Sequence, residues 1–198
     1  MNKHYQVLTE EDCHQGFLSL KSYRLQHECF AGGLCAEIQR ERVEARHAVS
    51  VLLYDPAEDA VVLIEQFRIG AMGYVSDPWL LETVGGYCEQ GEQLEEVARR
   101  ETREETGCEL RQLEFIGKFF TTPGWASERI SLYCGNVDSR QAQGIHGLDE
   151  EGEDIRVEVL SAAAAFSELF QRANSTSIVV GLQWLMQNRQ RLQQSWQD

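Results

Sequence analysis

Proline is scarce, with only 3 in 198 residues. Long apolar runs are missing altogether: no stretch approaches the roughly 18 consecutive residues that a membrane-spanning helix needs. The opening MNKHYQVLTEEDCHQ has no apolar core of the kind a secretion signal carries, so the expected compartment is the cytoplasm. The six cysteines, at 13, 29, 35, 88, 108 and 134, are irregularly spaced and include no CxxC pair. They read as reduced thiols rather than a disulfide framework. The five histidines form no HxxxH pair and no Cys/His cluster, which argues against a zinc site. Basic residues are also in deficit, 18 against 32 acidic, for a net charge of −14. That balance speaks against nucleic acid or an anionic membrane surface as a partner, since both require phosphate charge to be neutralised. A small phosphate-bearing substrate stays open if metal ions supply the positive charge.

What remains is an ordinary globular composition, 42% hydrophobic and 25% charged, which leaves little room for extended disorder. The length suits one core, or a main domain with a smaller appendage. There is no internal repeat, low-complexity tract or obvious linker. Residues 16–45 read as a β-hairpin turning at Gly32-Gly33. Strands are expected over His47–Tyr54, Ala60–Ile69, Trp79–Val84, Leu113–Phe120, Ile130–Val137 and Ile155–Leu160. Helices are expected from about Gly91 to Gly107, from Ser161 through Ala173, and over the C-terminal TSIVVGLQWLMQNRQRLQQSW. In the last, Ile178, Val179, Leu182, Leu185, Met186 and Leu192 form a stripe suited to core packing. The mixture indicates an α+β class with a layered sheet-and-helix core.

One segment is unusually acidic: GYCEQGEQLEEVARRETREETGC, residues 86–108. Such a run is most often a solvated helix laced with ion pairs. At about 100° per residue, however, Val97, Ala98, Glu101 and Glu105 fall within about 60° of Leu94, and Glu104 lies on the flank. Glu96, Arg99 and Arg103 occupy the opposite side. The apolar stripe of the first turns therefore continues as carboxylates in the last. Unpaired ionised carboxylates facing a core are very costly, and a hard cation such as Mg²⁺, which takes carboxylate oxygens, resolves that cost.

The spacing is specific. Five residues separate Gly86 from Glu92 and seven separate Glu92 from Arg100, after which come Glu101, Glu104, Glu105 and Gly107. This resembles the Nudix hydrolase signature GX5EX7REUXEEXGU, where U is a bulky apolar residue. It departs only at Thr102, in the first U position, and at Cys108, a small choice for the second. The resemblance implies an α/β/α sandwich with a mixed sheet, plus a small N-terminal antiparallel subdomain. It also implies hydrolysis of a nucleoside diphosphate linked to another moiety. By resemblance, Glu101 and Glu105 are main metal ligands, Glu104 contributes, the Gly85 carbonyl completes a site, and Glu92 pairs with Arg100. Mg²⁺ is the implied ion, with Mn²⁺ able to substitute.

Beyond the box, VVLIEQFRI (61–69), PWLLETVGG (78–86), SERIS (127–131), GIHGL (144–148) and EDIRV (153–157) are similar to bacterial ADP-ribose pyrophosphatases. That likeness implies Mg²⁺-dependent cleavage of ADP-ribose to AMP and ribose 5-phosphate. It divides the chain into a subdomain over 1–45, exchanged in a homodimer, and a Nudix domain over 46–198. In the acidic loop from Leu148, Glu151 aligns with the catalytic base and Glu153 with a metal ligand, with Glu150 and Glu153 as alternatives for the base. Glu104 and Glu105 belong to the catalytic set, Arg68 contacts phosphate, and Arg40 and Glu128 hold the adenosine and ribose portions. Pro123-Gly124 is followed by Trp125 where the family commonly has a second glycine. The indole either stacks on substrate or covers its own core. GDP-mannose hydrolysis and a non-cleaving ADP-ribose sensor are the competing readings.

Overall fold

The structure is a computed structural model that describes residues 3–89, 91–148, 150 and 152–196. It divides into two compact units: the chain up to His47 with Phe120–Arg129, and Ala48–Phe119 with the chain from Ile130 onward.

The first unit is a three-stranded antiparallel sheet in the order β1 (Tyr5–Gln15), β2 (Ser19–His27), β3 (Ile38–Glu44). The sequence suggests only the β2–β3 hairpin. Strand β1 is almost wholly exposed and carries no alternating apolar pattern, and its register with β2 shifts at Val7/Thr9 and Asp12/His14. The β2–β3 turn depends on Gly32 and Gly33 at φ +93° and +73°, a region open to glycine. Across it the Cys29 N–H donates to the Gly33 carbonyl (2.9 Å) and the Cys35 N–H to the His27 carbonyl (2.8 Å). This folds the two cysteines to a Cα separation of 5.3 Å, where they are joined as a disulfide. The expectation of six reduced thiols is thereby corrected: Cys13, Cys88, Cys108 and Cys134 are free, and Cys29–Cys35 is not. Residues 120–129 are tied to β3: the Val43 N–H donates to the Trp125 carbonyl (2.9 Å) and the Ser127 N–H to the Val43 carbonyl (3.0 Å).

The larger sheet runs β10 (Ile145–His146), β11 (Ile155–Ser161), β5 (Ala60–Phe67), β4 (His47–Asp55), β9 (Arg129–Asn136), β8 (Gln112–Phe120). It is covered on both faces, which is why β4 and β5 read as nearly continuous apolar runs. Val49, Val51, Leu53, Val62 and Ile64 pack toward Val97 and Ala98 of α1 (Leu94–Thr106). The alternate residues Leu52, Tyr54, Val61 and Leu63 pack toward α2 (Ala162–Ser167) and α3 (Thr176–Ser195), where Ile178, Leu182, Leu185 and Leu192 are fully buried. Met186, expected in that stripe, is half-exposed, because it falls to the side of the four buried positions. Helix α2 stops at Ser167 rather than reaching Ala173, and Phe170 takes a positive φ of 61° soon after. Strand β5 ends at Phe67, with Ile69–Ala71 forming a 3-10 turn.

The run expected as one strand over Trp79–Val84 is two: β6 (Trp79–Glu82), paired with β5, and β7 (Val84–Tyr87), paired with β4. Thr83 is the crossing point, its Oγ1 held by the buried Ser50 Oγ at 2.6 Å. This switch puts Glu82 opposite Ile64 and Gly85 opposite Ser50, on different partner strands. Among the described residues, no helix is long and apolar enough to cross a membrane.

Candidate active site

Helix α1 ends where the sequence signals it. Gly107 adopts the left-handed conformation (φ +72°) and its N–H caps the Arg103 carbonyl at 2.9 Å. Val97, Ala98, Thr102, Glu105 and Thr106 are buried, whereas Glu96, Arg99 and Arg103 are exposed. A threonine at the usual aliphatic position is tolerated because its Oγ1 donates to the Ala98 carbonyl (2.7 Å), so its own hydroxyl is not left unsatisfied in the core. Thr106 does the same to Thr102 at 2.6 Å. Cys108 packs within the core beside Leu110.

Glu105 is only 3% exposed, and one of its carboxylate oxygens accepts the Gly85 N–H at 2.9 Å. Burial drives its pKa well above the ordinary carboxylate range. The Gly85 amide opposes that shift, Glu101 and Glu153 add to it, and Arg68 works against it. Glu101 is pushed up to about 7, first by burial, with Arg100 opposing and Glu104 and Glu153 reinforcing. Its carboxylate lies over Gly86 so closely that a Cβ there would overlap it. Gly85 is equally constrained, since a Cβ would run into the Val49 carbonyl of β4. The two glycines thus let strand β7 approach both β4 and the carboxylate face of α1.

Arg100 gathers the remaining acids. Its Nη1 reaches Glu101 Oε1 at 2.8 Å and Glu104 Oε2 at 3.0 Å, and its Nη2 lies 3.7 Å from Glu92. Glu92 in turn accepts the Glu89 N–H at 2.8 Å, which ties the loop before α1 to the helix, as the resemblance implies. Among the described residues, no three His, Cys, Asp or Glu side chains already enclose a point at ligating distance. Arg100 holds Glu101 and Glu104 on its own side instead.

Glu153 belongs to the same electrostatic group, acting on both Glu101 and Glu105. It closes its loop twice: its N–H donates to the Leu148 carbonyl (3.2 Å), and its Oε2 accepts the Leu148 N–H (3.2 Å). Gly147, at φ +106°, must be glycine here, because a Cβ would also lie 2.7 Å from that of Glu153. Arg68 donates from Nε to Glu82 Oε2 at 2.7 Å. Glu151, expected as the base, lies outside the described residues, and Glu150 is exposed. Arg40 and Glu128 belong to the first unit. Arg40 Nη1 donates to the Gln39 carbonyl (2.7 Å), and Glu128 accepts the Thr121 hydroxyl (2.7 Å). Trp125, in the same unit, is 58% exposed, so it does not serve as core cover.

The second unit therefore brings together Gly85, Glu101, Glu104, Glu105, Glu153 and Arg68 around one strand–helix junction. The family model of the NUDIX domain matches residues 44–178. The chain belongs to the NUDIX family. Over 195 residues this NUDIX chain is 43% identical to the ADP-ribose pyrophosphatase of Haemophilus influenzae, covering 96% of this chain and 90% of that one. It is 42% identical over 192 residues to the ADP-ribose pyrophosphatase of Escherichia coli, covering 96% and 92%. A GDP-mannose pyrophosphatase of Salmonella arizonae is 30% identical over 152 residues, 76% of each chain. The crystal structure of an ADP compounds hydrolase superposes with a TM-score of 0.69 at 21% identity, covering 93% of this chain and 96% of that one, which speaks to the NUDIX fold alone.

Two further residues stand beside this NUDIX set of side chains, Gly147 against Glu153 and Glu82 against Arg68. Gly147 belongs to the quoted GIHGL but is given no role there. Glu82 lies within PWLLETVGG, where an acid closing an apolar strand run is itself a signal.

Proposed function

We propose that this Nudix hydrolase is an ADP-ribose diphosphatase, splitting ADP-ribose with water into AMP and ribose 5-phosphate. One observation carries the reading: Glu101 and Glu105 face inward from α1 against Gly85 and Gly86, in a chain 43% identical over nearly its whole length to a named ADP-ribose pyrophosphatase. The donor set suits a hard divalent cation, being carboxylate and carbonyl oxygen. Burial that keeps Glu101 and Glu105 far from ordinary carboxylate behaviour also favours a cation beside them, as does the Cβ-free space at Gly86. Glu101, Glu104, Glu105, Glu153 and the Gly85 carbonyl are the proposed ligands, with Mg²⁺ as the working ion and Mn²⁺ as a substitute.

When bound, a divalent cation supplies neutralisation of the diphosphate charge and a more acidic water. The chain's residues do the rest. Arg68 directs its free Nη groups to a phosphate oxygen. Glu151 accepts the proton of the attacking water as the water oxygen joins phosphorus and the bridging P–O bond breaks. Arg40 and Glu128 hold the adenosine and ribose portions, and Trp125 offers its exposed indole as a stacking surface.

GDP-mannose hydrolysis is the second reading, supported by the 30% identity to a GDP-mannose pyrophosphatase. It ranks lower because that likeness is weaker and covers less of the chain. A non-cleaving sensor is disfavoured by the complete acidic set. The first unit exposes Tyr5, Phe17, Phe30 and Leu34, and an apolar display of that kind supports self-association into a homodimer through the N-terminal strands. Light scattering at micromolar concentration tests this, and a monomer contradicts it.

Product analysis tests the activity. With Mg²⁺, ADP-ribose should disappear in step with equal amounts of AMP and ribose 5-phosphate, and excess chelator should stop it. Products other than these two, or turnover unaffected by chelation, contradict the proposal.

A further inference from the structure

Glu82 closes strand β6 and is nearly buried, with its side chain 15% exposed, while its partner Arg68 is 47% exposed. An ion pair so open to water contributes little to stability. Its geometry nevertheless constrains the guanidinium closely. The Arg68 N–H is bonded to the Pro78 carbonyl at 2.9 Å, and the pairing of Phe67 with Trp79 brings the ends of β5 and β6 together. Nε then donates to Glu82 Oε2 at 2.7 Å. Among the described residues, Nη1 and Nη2 of Arg68 donate to nothing, so the planar fork is fixed by one edge and presents the other. Along the chain, Glu82 is also joined to the carboxylate side of the site. Thr83 is pinned by Ser50, Val84 enters β7, and Gly85 donates to Glu105 at 2.9 Å.

We propose that Glu82 is a positioning residue that acts through Arg68, aiming its guanidinium at the diphosphate from the rigid β6–β7 crossing. The inference rests on the functional reading above for its substrate. The shared β6–β7 segment then keeps the arginine and the carboxylates in one frame. A small misplacement of a clamp of this kind costs about 100-fold in rate.

A double-mutant cycle tests it. Glu82→Ala should lower kcat/KM for ADP-ribose by about 10- to 100-fold. Glu82→Gln, which keeps an acceptor for Nε, should recover most of that loss. In an Arg68→Ala background, either change should cost less than about twofold, since the group through which Glu82 acts is gone. The melting midpoint of Glu82→Ala should fall by no more than about 4 °C, in keeping with a solvent-open pair. Equal losses in both backgrounds would overturn the proposal, as would a Glu82→Ala enzyme with unaltered kcat/KM. If Glu82→Ala does not fold, the Glu82→Gln cycle decides in the same way: a loss that persists in the Arg68→Ala background overturns it. Calorimetric titration with inorganic pyrophosphate and Mg²⁺ repeats the cycle without turnover. A chain that binds pyrophosphate with the coupled pattern but leaves ADP-ribose intact contradicts the functional reading and upholds the positioning role. Uncoupled binding overturns the role whatever the substrate.

Discussion

The main-chain amide of Gly85 donates to the carboxylate of Glu105 across 2.9 Å, joining strand β7 to the last turn of α1. It is the one hydrogen bond the Glu105 side chain makes among the described residues, and it falls short of compensating for burial of the carboxylate, which still titrates well above its usual range. With Glu101 also raised, to about 7, the strand–helix junction stores two reluctant acids side by side. That arrangement is unfavourable to the fold by itself and useful to a cation.

Glu105→Gln should separate the two effects. Turnover should fall by about 100- to 1000-fold, the scale of several kcal/mol of lost transition-state stabilisation. Stability without metal should move the other way. A carboxyl whose folded pKa is raised contributes stability that is complete below its unfolded value and lost as pH rises through the folded one. The substitution should therefore raise the metal-free melting midpoint at pH 8 and have little effect at pH 5. Glu101→Gln should behave alike, with its crossover between the ordinary 4.5 and about 7. Melting curves at the two pH values check both; a larger gain at pH 5 contradicts the account.

Gly86→Ala places a methyl group where the Glu101 carboxylate lies. Because that carboxylate ends a flexible side chain, it can swing away, and the fold should survive. Metal response and turnover should not, with kcat reduced by at least about 100-fold. Gly85→Ala meets the Val49 backbone carbonyl, which cannot swing, and should cost about 1–3 kcal/mol of stability. Paired melting and activity measurements distinguish a lost ligand from a strained strand.

Trp125→Ala should leave the melting midpoint within about 2 °C, since an exposed indole contributes little to a core. If the ring stacks on substrate, KM for ADP-ribose should rise by about 2- to 12-fold, the range expected of an aromatic pair. Steady-state kinetics check this, and an unchanged KM removes Trp125 from the site.

Much of this was legible in the sequence because two periodicities agree. The GX5EX7REUXEEXGU spacing and the helical phase both turn Glu101 and Glu105 onto the face of Val97 and Ala98, where the structure has them. The buried β4 and β5 announced themselves as apolar runs. Elsewhere local pattern was silent. Strand β1 is exposed on nearly every residue, so it lacks the alternation that marks a half-buried strand. The Cys29–Cys35 pair depends on a turn built by two left-handed glycines, and irregular spacing gave no hint of it. The break at Thr83 follows from a change of partner strand, which is a tertiary fact. Glu82 matters through a contact 14 residues away, with Arg68.

Substrate choice is the claim on which the rest depends. Purified protein with Mg²⁺ should be offered ADP-ribose and GDP-mannose in competition, and both sets of products should be followed. Here kcat/KM for ADP-ribose should exceed that for GDP-mannose by at least about 10-fold, the scale on which pocket contacts discriminate. Equal use of the two, or a preference for GDP-mannose, would contradict it.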